Sequence, residues 1–221
     1  MTCYPANMRY KTFLFDFDGT LVDSMPTYVS VMLRILDENN VKYDSDIVKI
    51  ITPLGQTGTA KYYIEKLGLD LPPEKIVERM NEYAYWEYAN RIEAKAGVIE
   101  TLRALKANGA DLNVLTASPH LMLDTCLKRL GIFDIFTRVW SCDDFKTTKS
   151  DPNIYKMAAE EIGAPISEIL FIDDNYNADK TAKEAGMSVC GVYDDSSKEY
   201  ENDIRAVSHH YVRELGELLL L

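Results

Sequence analysis

Asp16 and Asp18 stand two residues apart, and Gly19-Thr20 follows them. They come directly after an apolar run, Thr12-Phe13-Leu14-Phe15, that reads as a buried strand. Residues at i and i+2 of an extended segment project to the same side, so both carboxylates can face one pocket. Crowding two like charges raises the pKa of one acid unless a cation intervenes. One acid can then attack while the other carries a proton, or a metal can sit between them. Gly19 permits a sharp turn after the pair. An acidic turn closing a strand would use the same residue types, so the pair takes its meaning from three further segments.

The first is Leu112-Asn113-Val114-Leu115-Thr116, an apolar strand ending in Thr116, Ala117 and Ser118. Ser118 and Pro119 read as the opening of a helix through Leu130, with Ser118 as N-cap and Gly131 as the stop. Amides and dipole at such a helix start favour an anion. The second is Lys149, in a loop before another helix, which offers a compact positive charge. The third is Ile169-Leu170-Phe171-Ile172, a strand ending in Asp173-Asp174-Asn175. Singly, each has an ordinary explanation: a local hydrogen bond, a solvated lysine, a helix cap. Together, each near a strand end, they gather carboxylates, a hydroxyl and a cation at one point. Oxygen-only ligation calls for a hard cation, and magnesium commonly bridges carboxylates to phosphate oxygens. A carboxylate can serve as nucleophile and form an aspartyl phosphate. Phosphoryl transfer then asks mainly for positioning and charge stabilisation.

From about Asp111 onward strands and helices alternate. Leu112–Thr116, Arg138–Ser141, Ile169–Ile172 and Ser188–Val192 are apolar, with helices such as Ile154–Ile162 and one ending near Ala185 between them. This predicts an α/β fold, a Rossmann-like parallel sheet with helices on both faces. Functional groups would gather at the carboxyl ends of its strands, where order reverses on either side of the first strand. Residues 23–94 break the rhythm with helical patterns over Pro26–Asp37, Thr57–Leu67 and Glu74–Arg91 and no strand. Val77, Met80, Ala84 and Tyr88 repeat there at helical spacing as a core stripe. We therefore expect a catalytic core from residues 1–22 and 95–221, with a small all-helical cap at 23–94. Its hinges fall near Val22-Asp23-Ser24 and Ala94-Lys95-Ala96-Gly97. Tyr83, Tyr85 and Trp86 give the last cap helix an aromatic face that could carry a homodimer contact.

Composition narrows the partners. Of 221 residues, 47% are hydrophobic, enough for a proper core. Acidic residues outnumber basic ones 35 to 24, for a net charge of -11. That disfavours a nucleic acid polymer or an anionic membrane, which reward a positive face. Cys3, Cys126, Cys142 and Cys190 lack CxxC spacing and read as reduced thiols, Cys190 as strand packing. There is no basic-then-apolar leader, and no run approaches the roughly 18 apolar residues of a membrane span. A cytoplasmic protein is expected. His209-His210 has neither metal-ligand spacing nor company, and carries no function.

The chain resembles the haloacid dehalogenase superfamily, in its phosphoglycolate-phosphatase-like branch, across residues 10–193. Asp16-Phe17-Asp18-Gly19-Thr20-Leu21-Val22-Asp23-Ser24 resembles the first motif, Thr116-Ala117-Ser118 the second and Lys149-Ser150-Asp151-Pro152 the third. Phe171-Ile172-Asp173-Asp174-Asn175 through Ala185-Gly186-Met187 resembles the fourth. The resemblance implies a magnesium-dependent phosphatase acting on a small phosphorylated metabolite. It implies Asp16 as nucleophile, Asp18 as general acid and base, and Thr116, Ala117, Ser118 and Lys149 around the phosphate. Magnesium would be held by Asp16, the Asp18 backbone carbonyl and the fourth-motif acids, Asp174 directly and Asp173 as a helper. Three positions depart from the pattern: Ser150 replaces a proline, the proline before Gly97 is absent, and Ala178 stands where relatives carry an acid, with Asp179 one place later.

Asp18 argues against a dehalogenase, which lacks an acid at that position. A binding subunit descended from a hydrolase would be expected to have lost Asp16 or Asp18, and both stand here. A sugar-phosphate mutase shares all four motifs and is the alternative activity. By resemblance, such mutases carry a histidine early in the first cap helix where Tyr28 stands, and Pro26 and Thr20 are phosphatase-like. The segment Thr52–Gln56 and Lys61 are the expected substrate selectors in the cap.

Overall fold

The structure, a computed structural model, describes residues 8–221. The apolar runs become six strands: β1 (Thr12–Phe15), β2 (Asp111–Thr116), β3 (Arg138–Ser141), β4 (Ile169–Asp173), β5 (Ser188–Val192) and β6 (His210–Val212). They form one sheet in the order β3-β2-β1-β4-β5-β6, with every neighbouring pair parallel. Between β1 and β2 the chain makes α1 (Met25–Glu38), α2 (Ile47–Ile51), α3 (Gly55–Leu67), α4 (Pro73–Asn90) and α5 (Val98–Ala107). The later connections carry α6 (His120–Arg129), α7 (Pro152–Ile162), α8 (Tyr176–Ala185) and α9 (Glu201–Val207).

β1 lies inside the sheet, with Phe15 in register with Val114 on β2 and Ile172 on β4. The strand order reverses on either side of it, which opens a crevice at its carboxyl end. Leu14 faces a buried cluster with Leu115 and Phe171, closed by Tyr155 and Ala158 of α7 and Ala182 of α8. Phe13 and Phe15 alternate to the other side and stack with ring centroids 6.0 Å apart. Strands covered on both faces must be apolar throughout, which is why they read as continuous runs.

The chain divides into two compact units, one from the residues up to Asp23 and Glu93–Leu221, the other Ser24–Ile92. In the helical unit, Val31, Met32, Ile35 and Leu36 of α1 follow helical spacing and are buried with Tyr63, Ile76 and Met80. The α4 stripe keeps Met80 of the expected one but adds Ile76. Ile76 and Met80 are its buried residues, Val77 and Ala84 only flank the core, and Tyr85 and Trp86 are exposed. The sheet unit pairs the two linkers side by side: Val22 bridges Ala94, and Asp23 N–H donates to Glu93 O at 3.0 Å.

One helix start differs from expectation, and another rules out an ordinary explanation. α6 begins at His120 with Pro119 in the cap position, so Ser118 is not its N-cap. Proline at that place leaves no side chain to cap, and the Ser118 hydroxyl is engaged elsewhere. α8 is capped by Asn175, whose side chain accepts from the amides of Asn177 and Ala178, so Asp173 and Asp174 do not cap it. Among the described residues no helix is long and apolar enough to cross a membrane. Cys126, Cys142 and Cys190 are free and buried, and Cys3 lies outside the described residues.

Candidate active site

Two strand ends bring the acids together, and one loop adds a lysine. Asp16 leaves β1 with its amide donating to Ile172 O of β4 at 2.8 Å, which ties the two acidic strand ends to each other. Carboxylate oxygens of Asp16, Asp173 and Asp174 lie within 4.8 Å of one another, and all three residues are buried. Lys149, in the loop before α7, reaches in and donates to Asp16 Oδ1 and, at 2.8 Å, to Asp173 Oδ2. Its backbone is fixed from below, since Tyr155 Oη donates to Lys149 O at 3.0 Å.

Burial of so many charges sets their proton affinities. Burial, reinforced by the adjacent Asp173, pushes Asp16 up to about 7 against the pull of Lys149. Burial, then Asp173 and Asp16, hold Asp174 well above the usual carboxylate range. Burial pulls the Lys149 ammonium down, but Asp16 and Asp173 outweigh it and hold it well above the usual lysine value. Lys149 offsets one of three negative charges. The donor set, oxygen-only, buried and short of positive charge, fits a hard divalent cation.

The two fourth-motif acids are not equivalent. Asp173 accepts from Lys149 through Oδ2 and from the Asn175 amide through Oδ1 at 2.8 Å, so both of its oxygens are engaged. Asp174 accepts from Thr20 Oγ1 through Oδ1, at 3.0 Å. Its carboxylate also lies against Gly19, where a Cβ would sit 2.7 Å from Oδ2. Gly19 has φ +78°, so both its conformation and its missing side chain are required.

The second motif works differently from a helix cap. Ser118 Oγ donates to Asp18 Oδ2 at 2.5 Å, and Ser118 N–H donates to Thr116 Oγ1 at 3.0 Å. Thr116 is buried at the end of β2 and keeps its hydroxyl proton to give, while Ala117 is exposed. Ser118 thus ties the end of β2 to Asp18 through its hydroxyl, with its amide on Thr116. Asp179, one place after the position relatives use, turns into the core and accepts from Ser208 Oγ at 3.4 Å. Among the described residues it is not one of the acids whose oxygens cluster. His209 and His210 are likewise absorbed by structure, accepting from Val189 N–H and bonding Tyr10 Oη.

In the helical unit a small cavity of about 20 Å³ is lined by Ser24, Thr27, Tyr28, Met32, Met80 and Tyr88, among others. Lys61, expected as a selector, is exposed and pairs with Glu65, while Gln56 borders this cavity and donates to Asn81.

A family model for haloacid dehalogenase-like hydrolases matches residues 10–186, the stretch that carries all four motifs. The chain belongs to that family. Curated relatives of this haloacid dehalogenase-like hydrolase include YhcW, a candidate phosphatase of Bacillus subtilis, 29% identical over 181 residues and 80% of each chain. A pyrophosphatase, PpaX, of Bacillus velezensis is 29% identical over 193 residues and 85% of each chain. Among solved structures, a candidate β-phosphoglucomutase from Thermotoga maritima aligns over 95% of this chain and 97% of its own, with TM-score 0.81 and 23% identity. That last likeness speaks to the fold alone.

Proposed function

We propose that this chain is a magnesium-dependent phosphatase that hydrolyses a small phosphorylated metabolite through an aspartyl phosphate on Asp16. The observation that carries the reading is the convergence of Asp16, Asp173 and Asp174 with Lys149 at the carboxyl ends of β1 and β4. The phosphatase names of the curated relatives support the same activity.

Asp16 is the nucleophile. One of its carboxylate oxygens attacks phosphorus as the bond to the leaving oxygen breaks, and the Asp18 carboxyl gives its proton to the departing alcohol. Asp18 then takes a proton from a water, which attacks the acyl phosphate and releases inorganic phosphate with Asp16 restored. Ser118 Oγ keeps Asp18 aimed for both transfers. Lys149 and the Thr116 hydroxyl hold phosphoryl oxygens whose charge grows in the transition state. Asp16, the Asp18 backbone carbonyl and Asp174 would hold magnesium, with Asp173 as helper through its tie to Lys149. Bound there, the ion supplies positive charge that keeps Asp16 ionised and offsets the phosphate dianion.

Phosphate release is favoured over isomerisation by Tyr28. Burial raises its phenol above the usual tyrosine value of about 10, too high to gate proton transfer near neutral pH. The test has two arms. An aryl phosphate should be hydrolysed with magnesium and spared with a chelator. Hexose 1-phosphate with a bisphosphate primer should yield inorganic phosphate rather than the 6-phosphate. Full activity in chelator would refute the metal's role, and isomer outpacing phosphate would turn the assignment to a mutase.

A further inference from the structure

Lys95 sits in the linker by which the chain returns to the sheet unit, and its contacts reach back to the catalytic turn. Its ammonium donates to three acceptors: Gly19 O at 2.6 Å, Tyr193 O at 2.8 Å and Asp194 Oδ2 at 2.9 Å. An ammonium has three N–H groups, so its donors are fully used. The Lys95 amide also donates to Leu21 O at 3.0 Å. Side chain and backbone of one residue therefore hold both ends of the turn after Asp18, which Gly19 N–H closes on Val22 O at 3.0 Å. Asp194, the anchor at the far side, is buried and itself held by the amide and hydroxyl of Ser196, at 2.9 and 2.6 Å.

The turn held this way is the surface on which Asp174 rests. Gly19 abuts the Asp174 carboxylate closely enough that a methyl group would collide with it, and Thr20 Oγ1 donates to it. A shift of the Gly19 carbonyl would therefore carry the contact face and the donor of Asp174 with it. We propose that Lys95 is a positioning residue for Asp174: by fixing the Gly19-Thr20 turn it sets the orientation of that carboxylate, and with it the affinity of the acid cluster for a divalent cation. The inference rests on the metal-assisted reading given above.

The sign of the effect separates positioning from simple electrostatics. Lys95 is a cation, so removing it should by charge alone tighten the binding of Mg²⁺ to a nearby acid cluster. Positioning predicts the opposite, because groups that orient a ligand typically cost about 10–100-fold in metal affinity when lost. Titration calorimetry of Mg²⁺ without substrate gives the readout independently of turnover. Lys95→Met should bind Mg²⁺ at least about tenfold more weakly than the unaltered protein. Lys95→Gln, neutral but with an amide donor for Gly19 O, should fall between them, and serves alone if the methionine variant does not fold. Unchanged or tighter binding in either folded variant overturns the role of Lys95 and leaves the catalytic reading intact. Absence of Mg²⁺ binding by the unaltered protein overturns both.

Discussion

Gly19→Ala should separate the stability of the fold from the competence of its acid cluster. The substitution acts twice. Gly19 has φ +78°, and placing a side chain in the left-handed region costs about 1–2 kcal/mol. For a chain of this size that corresponds to a fall in Tm of about 2–8 °C. The new methyl would also stand 2.7–2.8 Å from the Asp174 carboxylate atoms, where ordinary contact begins at 3.4 Å. The carboxylate or the turn must therefore give by about 0.6 Å or more, the difference between those two distances. Asp174 is buried and tied to Thr20 in the same turn, so it cannot withdraw without losing that bond. Misplacement on the order of 1 Å commonly costs about 100-fold in rate, and kcat/KM should fall by about that much, with a higher magnesium requirement. Gly109→Ala supplies the control: φ is +83° there, with nothing within 4 Å of an added Cβ. It should show a similar loss of Tm and retain activity. The assay is hydrolysis of an aryl phosphate across a magnesium titration, paired with thermal melts of all three proteins. Wild-type activity in Gly19→Ala, or equal losses in both variants, would refute the reasoning.

Asp16→Asn keeps the shape of the nucleophile but loses its attacking charge, so turnover should collapse by several orders of magnitude in a folded protein, as with other nucleophiles. A near-wild-type steady-state rate would remove Asp16 from that role. His120 bonds Asp124 through Nδ1 at 2.9 Å and Asp144 through Nε2 at 2.8 Å. The Asp124 hydrogen bond, opposed by partial burial and helped by Asp144, raises its pKa above the usual histidine value. A raised folded-state pKa contributes stability that is full below about pH 6.5 and fades as pH rises through the folded value. Tm should therefore differ more between wild type and His120→Ala at pH 5.5 than at pH 8.5. A gap independent of pH would show that the ring acts only through packing.

The strands that carry the site were legible because they are buried almost throughout, as Thr12–Phe15 and Ile169–Asp173 are. Thr12–Phe15, Arg138–Ser141 and Ser188–Val192 appear with the bounds expected of them. β6 was not, since His210-Tyr211-Val212 is three residues long and mostly polar. In the α4 stripe Met80 is buried as expected, but Ile76 takes the place given to Val77, because the two are equally apolar and only packing chooses between them. Ser118 shows a deeper limit. A hydroxyl before a helix signals a cap, and the same hydroxyl serves a partner 100 residues away, so local sequence does not decide between the two. Lys95 is harder still: between two alanines it resembles a solvated linker lysine, and its acceptors lie 76 and 98 residues distant.

The side-by-side linkers bear on how the chain assembles as it is made. β1 cannot pair with β2 until the 69 residues of Ser24–Ile92 and α5 have been synthesised. Closing a flexible loop of that length would cost the sheet about 4 kcal/mol of chain entropy. The helical segment is contiguous, and Ser24 and Ile92, its first and last residues, line the same cavity. With that segment folded its ends are neighbours, so Val22 and Ala94 are joined by a short tether. If the helical segment forms first, the nucleophile strand meets its partner across this short tether rather than across a long coil.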